Sequence, residues 1–135
     1  VSYLLDTNIL SETIKDRPSK SLLAWLNSVP QDDLYISVLT YGEIRKGVER
    51  LSSGKRKSQL LSWLENELAN WFGEKIIAID LDIANRWGFL CSHSNESLPT
   101  IDSLLAATAL AYNLKLVTRN VSDFDFPGLQ VINPF

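Results

Sequence analysis

The chain has 135 residues, with 13 Lys plus Arg against 16 Asp plus Glu and a formal net charge of −3. That length suits one domain over residues 1–135, and 45% hydrophobic with 21% charged residues is an ordinary globular composition, not a disordered or fibrous one. A single Cys and a single His exclude an intrachain disulfide and a Cys/His zinc site, and they fit a reducing, cytoplasmic setting.

Residues 3–5 read as a short strand and 7–13 as a short helix. Ser19 can cap a helix reaching about Asn27, with Leu22, Leu23 and Leu26 on its apolar face. Residues 34–37 form a second strand. Residues 39–51 are helical, with Ile44, Val48 and Leu51 spaced by four and three. A turn at 52–54 leads into a helix over 55–72 whose Leu60, Leu64, Leu68 and Trp71 make one stripe. Residues 76–79 give a third strand and 81–93 a helix. The loop 94–99 enters a helix over 100–112 with Ile101, Leu104, Leu105 and Thr108 facing inward. Residues 115–117 and 130–132 read as the last two strands. Short apolar strands separated by helices imply an α/β fold with a parallel sheet of four to five strands. Such sheets bind ligands outside the carboxyl ends of their strands.

No apolar run approaches the roughly 20 residues of a membrane span, and the start of the chain lacks the pattern of a signal peptide. The chain begins at Val1 and contains no Met, so an initiator residue is expected to have been lost or left out of the numbering.

Four acids stand where a parallel sheet would gather them. Asp6 follows the first strand, Glu43 lies early in the helix after the second, Asp102 sits in the first turn of the helix over 100–112, and Asp123 follows the fourth strand. Each has a plainer reading. Asp6 with Thr7 and Asn8 can start a helix, Glu43 can pair with Lys46, Asp102 can answer the helix dipole, and Asp123 can cap a turn. Together they suggest an all-oxygen pocket, because converging carboxylates resist ionisation unless a cation joins them. Oxygen donors favour Mg²⁺ or Mn²⁺ over zinc or copper, and phosphodiester hydrolysis is the natural chemistry of such a site. Gly47, Ala106 and Ala109 either leave room beside the acids or reflect close helix packing.

The segments LLDTNILSE (4–12), LTYGEIRKGVERL (39–51), LPTIDSLLAATAL (98–110) and LVTRNVSDF (116–124) occur in an order and spacing that resemble the PIN-domain ribonucleases, in particular the VapC-type toxins of toxin–antitoxin pairs. The closing VINPF (131–135) is similar too. The resemblance implies a single three-layer α/β/α PIN-like domain. It implies that Asp6, Glu43, Asp102 and Asp123 bind Mg²⁺ or Mn²⁺, with Asp6 and Asp102 as the most direct ligands. Thr7, Asn8, Thr118 and Asn120 match residues that line or shape that pocket. The expected activity is that of a metal-dependent endoribonuclease acting on a transfer RNA or a ribosomal RNA loop and inhibited by a cognate antitoxin. A homodimer is implied, or a higher hetero-oligomer with the antitoxin, and operator DNA would be contacted only through the antitoxin.

Arg45, Lys46, Arg50, Lys55, Arg56 and Lys57 concentrate positive charge beside Glu43, either as a guide for an RNA backbone or as a solvated face. Arg119 lies next to the acids and can contact phosphate or pair with an acid. Trp25, Trp63, Trp71 and Trp87 favour core packing over base stacking, and the helices carrying the first three can form a groove for an antitoxin segment. His93 reads as a surface residue at a helix end. A phosphatase of the haloacid dehalogenase type would need a second Asp where Asn8 stands. A receiver domain would leave Glu43 and Asp102 unexplained. A non-catalytic binding module remains the other alternative.

Overall fold

Alternation along the first strand divides the molecule into layers. In the computed structural model, which describes residues 1–135, β1 (Tyr3–Leu5) sends Leu4 to one face of a sheet and Leu5 to the other. Leu5 packs with Ile9 and Leu10 of α1 (Thr7–Thr13), Leu22 of α2 (Lys20–Ser28) and Ile44 and Val48 of α3 (Val38–Glu49). Leu4 packs with Leu105 and Ala109 of α7 (Thr100–Ala111), and α6 (Leu81–Ser92) lies against α7. The three-layer α/β/α arrangement expected from the sequence is the one observed.

All pairings in the sheet are parallel. β1 lies between β2 (Leu34–Ser37) and β4 (Lys115–Val117), with β3 (Ile76–Ile77) and β5 (Val131–Ile132) at the edges, giving the order β3-β2-β1-β4-β5. The chain winds outward from β1 through β2 to β3, then returns to start β4 beside β1. The crevice where strand order reverses therefore opens between the carboxyl ends of β1 and β4, the place where open α/β sheets take ligands. The residues that leave these two strands are Asp6 and Thr118.

The long helix departs from ideal periodicity. α4 (Lys55–Ser62) runs into a π-helical segment, Trp63–Leu68, before α5 (Ala69–Phe72). Leu60, Leu64 and Leu68 recur every fourth residue, a spacing that drifts around an α-helix of about 3.6 residues per turn. The wider i→i+5 turns absorb that drift, so the row continues to Phe72. Phe72 is only 2% exposed, while Trp71 is half-buried and packs on the Phe72 ring at 4.7 Å between centroids. The expected stripe position of Trp71 is thus corrected by one residue.

Other expectations also shift. Leu23 is exposed because α2 turns Leu22 inward, with Trp25 and Leu26 at the core margin. Leu51 is exposed because α3 ends at Glu49 and Leu51 no longer follows the Ile44–Val48 face. The third strand stops at Ile77, and Ile79 is exposed where the chain leaves the sheet for Asp80, which caps α6 by accepting the Ile83 N–H at 2.9 Å. Along α7, Leu105 and Thr108 are buried as expected, but Ile101 and Leu104 are only half-buried. Ala106 and Ala109 are fully buried, so they serve helix packing and open no space beside Asp102. Trp25, Trp63 and Trp71 pack against the larger core, and Trp87 donates its indole N–H to the Ser103 hydroxyl at 2.9 Å. No helix is long and apolar enough to cross a membrane.

Phe72→Ala is expected to cost about 3–5 kcal/mol in urea unfolding, and Trp71→Ala distinctly less. The reverse ranking would show that Trp71 holds the stripe.

Candidate active site

Asp6 is buried at the end of β1, and three donors meet its carboxylate. Oδ1 accepts the Thr7 N–H at 2.8 Å, and Oδ2 accepts the Thr118 hydroxyl at 2.9 Å and the Asn8 amide at 3.3 Å. Its backbone N–H is bonded to the Val117 carbonyl at 2.9 Å, which continues the β1–β4 ladder by one step. The helix-start reading of Asp6 is therefore correct as local structure, and the Thr118 bond adds a tertiary contact to it.

Asn8 and Thr118 complete a small lattice. The Asn8 amide donates to Thr118 Oγ1 at 3.1 Å, its carbonyl accepts the Arg119 N–H at 3.1 Å, and Thr118 Oγ1 also accepts the Asn120 N–H at 3.0 Å. Thr7 reaches the other way, donating its hydroxyl to Glu43 Oε1 at 2.6 Å. Glu43 takes this bond and makes no ion pair with Lys46.

Asp102 is half-buried near the start of α7, and Asp123 is exposed in the 3₁₀ turn Val121–Phe124. Neither carboxylate takes part in a hydrogen bond or ion pair within the chain. Burial raises the Asp102 pKa above the ordinary 3.8, and the charges of Asp6, Asp123 and Glu43 raise it further. A helix N-terminus acting alone would lower it, so the dipole is not what governs this residue. Burial is also the main reason Asp6 is raised. The bonds from Thr118 and Thr7 oppose that rise, and the charges of Glu43 and Asp123 add to it. The four acids thus share one electrostatic neighbourhood. No three His, Cys, Asp or Glu side chains form a ready coordination shell.

Arg45 is committed elsewhere, pairing with Glu49 and Glu65 at 2.7 Å each. Lys46 is exposed and makes no ion pair. Arg119 does not pair with any of the four acids but approaches Glu12 Oε1 at 3.6 Å. Glu12 was not singled out from the sequence. It is buried on α1, accepts Lys15 Nζ and the Ser19 N–H at 2.9 Å each, and is held below the ordinary carboxylate value, chiefly by the Lys15 hydrogen bond. Its signal was the four-residue step from Asn8, which puts both side chains on one helix face. A cavity of about 600 Å³ lies away from these four acids, beside Ser2, Tyr35, Tyr112 and Leu114.

An open parallel α/β sheet with interacting acids at its switch point defines a class of acidic-pocket domain. Residues 3–126 match the family described as PIN domain. The chain is 33% identical to the VapC ribonuclease Y4jK of Sinorhizobium fredii over 98% of this chain and 96% of that protein. It superimposes on FitAcB from Neisseria gonorrhoeae with a TM-score of 0.89 at 32% identity, covering 98% of this chain and 97% of that one. A toxin–antitoxin complex from Klebsiella pneumoniae gives a TM-score of 0.73 at 31% identity, covering 99% and 98%. The chain belongs to the PIN domain family and, within it, to the VapC-type toxins.

Because folding raises the Asp102 pKa, the folded state holds that proton more tightly than the unfolded chain does. The associated stability is full below 3.8 and is lost as pH rises through the folded value. In chelator, Asp102→Asn should therefore raise the melting temperature at neutral pH. The gain should fade as pH falls toward 3.8. A pH-independent gain would detach Asp102 from the acidic cluster.

Proposed function

We propose that this chain is a metal-dependent endoribonuclease, the toxin of a toxin–antitoxin pair, hydrolysing phosphodiester bonds of a transfer RNA or a ribosomal RNA loop. The observation that carries the reading is the placement of the buried Asp6 at the β1–β4 switch point, gripped by Thr118, with Thr7 holding Glu43 beside it and the charges of Glu43 and Asp123 felt at both Asp6 and Asp102. The ribonuclease name of the Sinorhizobium relative supports the choice of substrate class.

The donor set suits a hard divalent cation. Asp102 and Asp123 are uncommitted, and Asp6 Oδ1 accepts a single hydrogen bond, which leaves it a free lone pair. Asp6 and Asp102 would be the principal ligands of Mg²⁺ or Mn²⁺, with Glu43 and Asp123 completing the charge. A bound ion of this kind supplies a water of lowered pKa and neutralises phosphoryl oxygens. The chain's own contribution is positional. Thr118 and Asn8 fix the Asp6 carboxylate, Thr7 fixes Glu43, and Asn120 anchors the loop through Thr118. Lys46, which makes no ion pair, and Arg119, whose one ion pair is a long one to Glu12, are the cations assigned to the RNA backbone. Arg45 is the weaker candidate for that role, because its donors are spent on Glu49 and Glu65.

The antitoxin is assigned to the apolar edge between α2 and α5, where a cavity of about 400 Å³ is lined by Leu23, Leu26, Val29 and Trp71. The likeness to a toxin–antitoxin complex from Klebsiella pneumoniae supports such a partner. Operator DNA is left to the antitoxin, and the chain is assigned a homodimer or a hetero-oligomer with that partner.

Antitoxin-free protein should cut a total transfer-RNA pool into discrete products with Mg²⁺ or Mn²⁺ and not with chelator, and Asp6→Asn should lower the rate by about a hundredfold or more. Products indifferent to chelator and variant would refute the assignment. Millimolar Mg²⁺ or Mn²⁺ should also raise the melting temperature of the parent, and less so that of Asp6→Asn, since a ligand that binds only the folded state stabilises it.

A further inference from the structure

Among the cations near the acids, Arg119 is held in an unusual way. Its backbone N–H is bonded to Asn8 Oδ1 at 3.1 Å, one residue after Thr118 grips Asp6. Its guanidinium lies over the Phe135 ring at 3.9 Å from the centroid and faces Glu12 at 3.6 Å, yet its nitrogens make no hydrogen bond. Glu12 already has closer donors in Lys15 and Ser19. The guanidinium is therefore oriented without spending its donors, and the side chain stays 49% exposed. Arg45 shows the opposite case, with its donors closed onto two carboxylates.

Phe135 is fixed in turn. Its N–H is bonded to Asn133 Oδ1 at 3.0 Å, and the preceding Pro134 carbonyl accepts the Ser21 hydroxyl of α2 at 2.9 Å. The segment after β5 is thus pinned across α2 while its aromatic ring carries the arginine. Glu12 lies six residues beyond Asp6, roughly 9 Å along the helix at about 1.5 Å per residue. The guanidinium faces Glu12 and pairs with none of the four acids, so it does not neutralise them.

Resting on the nuclease reading above, we propose that Phe135 and Glu12 are positioning residues that hold the Arg119 guanidinium, with its donors free, to bind an RNA phosphate neighbouring the one that is cut. The planar fork of five N–H groups suits a phosphate bidentately, and the ring supplies an orienting surface that does not compete for those groups.

The test reads binding, not cleavage. In an Asp102→Asn background with Mg²⁺ present, the affinity for a labelled total transfer-RNA pool is measured across a salt series. Arg119→Ala should weaken binding and reduce the salt slope by about 0.7–1, the loss of one phosphate contact. Phe135→Leu should weaken binding about two- to fivefold at temperatures well below its melting point, and Phe135→Tyr should restore it. Added to Arg119→Ala, Phe135→Leu should have no further effect, as expected of residues acting through one contact. Binding that ignores Phe135→Leu, or falls equally with and without Arg119, overturns the proposal and leaves the nuclease reading standing. Absence of RNA binding by the background protein overturns both.

Discussion

The hydrogen bond from the Thr118 hydroxyl to Asp6 Oδ2 ties the end of β4 to the end of β1 across the one place where the order of the sheet reverses. The two chain segments that leave these strands are fixed through it. Thr118 also receives Asn8 and Asn120, so one buried hydroxyl oxygen sets the departure of α1 and of the loop that carries Arg119 and Asp123. A buried carboxylate is costly, and hydrogen bonds from Thr7 and Thr118 do not fully offset the cost, since Asp6 remains raised. A fold seeking stability alone would place an apolar or amide residue there. Such a strained acid at a switch point is a functional-site feature with a physical cause.

The distribution of cations reinforces this. Arg45 answers Glu49 and Glu65, Lys15 answers Glu12, Lys57 answers Glu49, and none of them reaches the four acids. The pocket keeps its negative potential because the structure spends its positive charge a step away. The pairs between exposed side chains add little stability in water, so their larger effect is to keep those side chains occupied. Arg119 differs by being held without being consumed.

Much of this was legible in the residues. Leu4 and Leu5 followed by Asp6 announced a buried strand ending in an acid, and a parallel α/β sheet was legible from the alternation of short apolar strands with helices. What escaped was set by geometry that a fixed period does not carry. Phe72 replaces Trp71 because a π-helical turn changes the residue count per turn, and nothing in the WLENEL segment marks that turn. Ala106 and Ala109 looked like space beside an acid, yet α7 is buried nearly all round, so small residues there mean contact. Glu12 was hidden because a helix acid is usually solvated, and its burial depends on Ser19 and Lys15 folding back over it.

Net charge alone would argue against a polyanionic ligand, since the chain carries −3 and four acids lie at the proposed site. On the proposed reading the contradiction resolves through linkage. RNA phosphate and four carboxylates repel each other at one site, so the two can share it only when a cation lies between them. A cation that makes phosphate welcome is bound more tightly when phosphate is present, because coupling between two ligands is reciprocal. Burial raises Asp6 and Asp102 first, and the repulsion that adds to that rise in the bare protein is then what makes cation and substrate binding interdependent. Arg119 and Lys46, at the rim and outside the cluster, can draw the backbone in without discharging the acids that hold the cation.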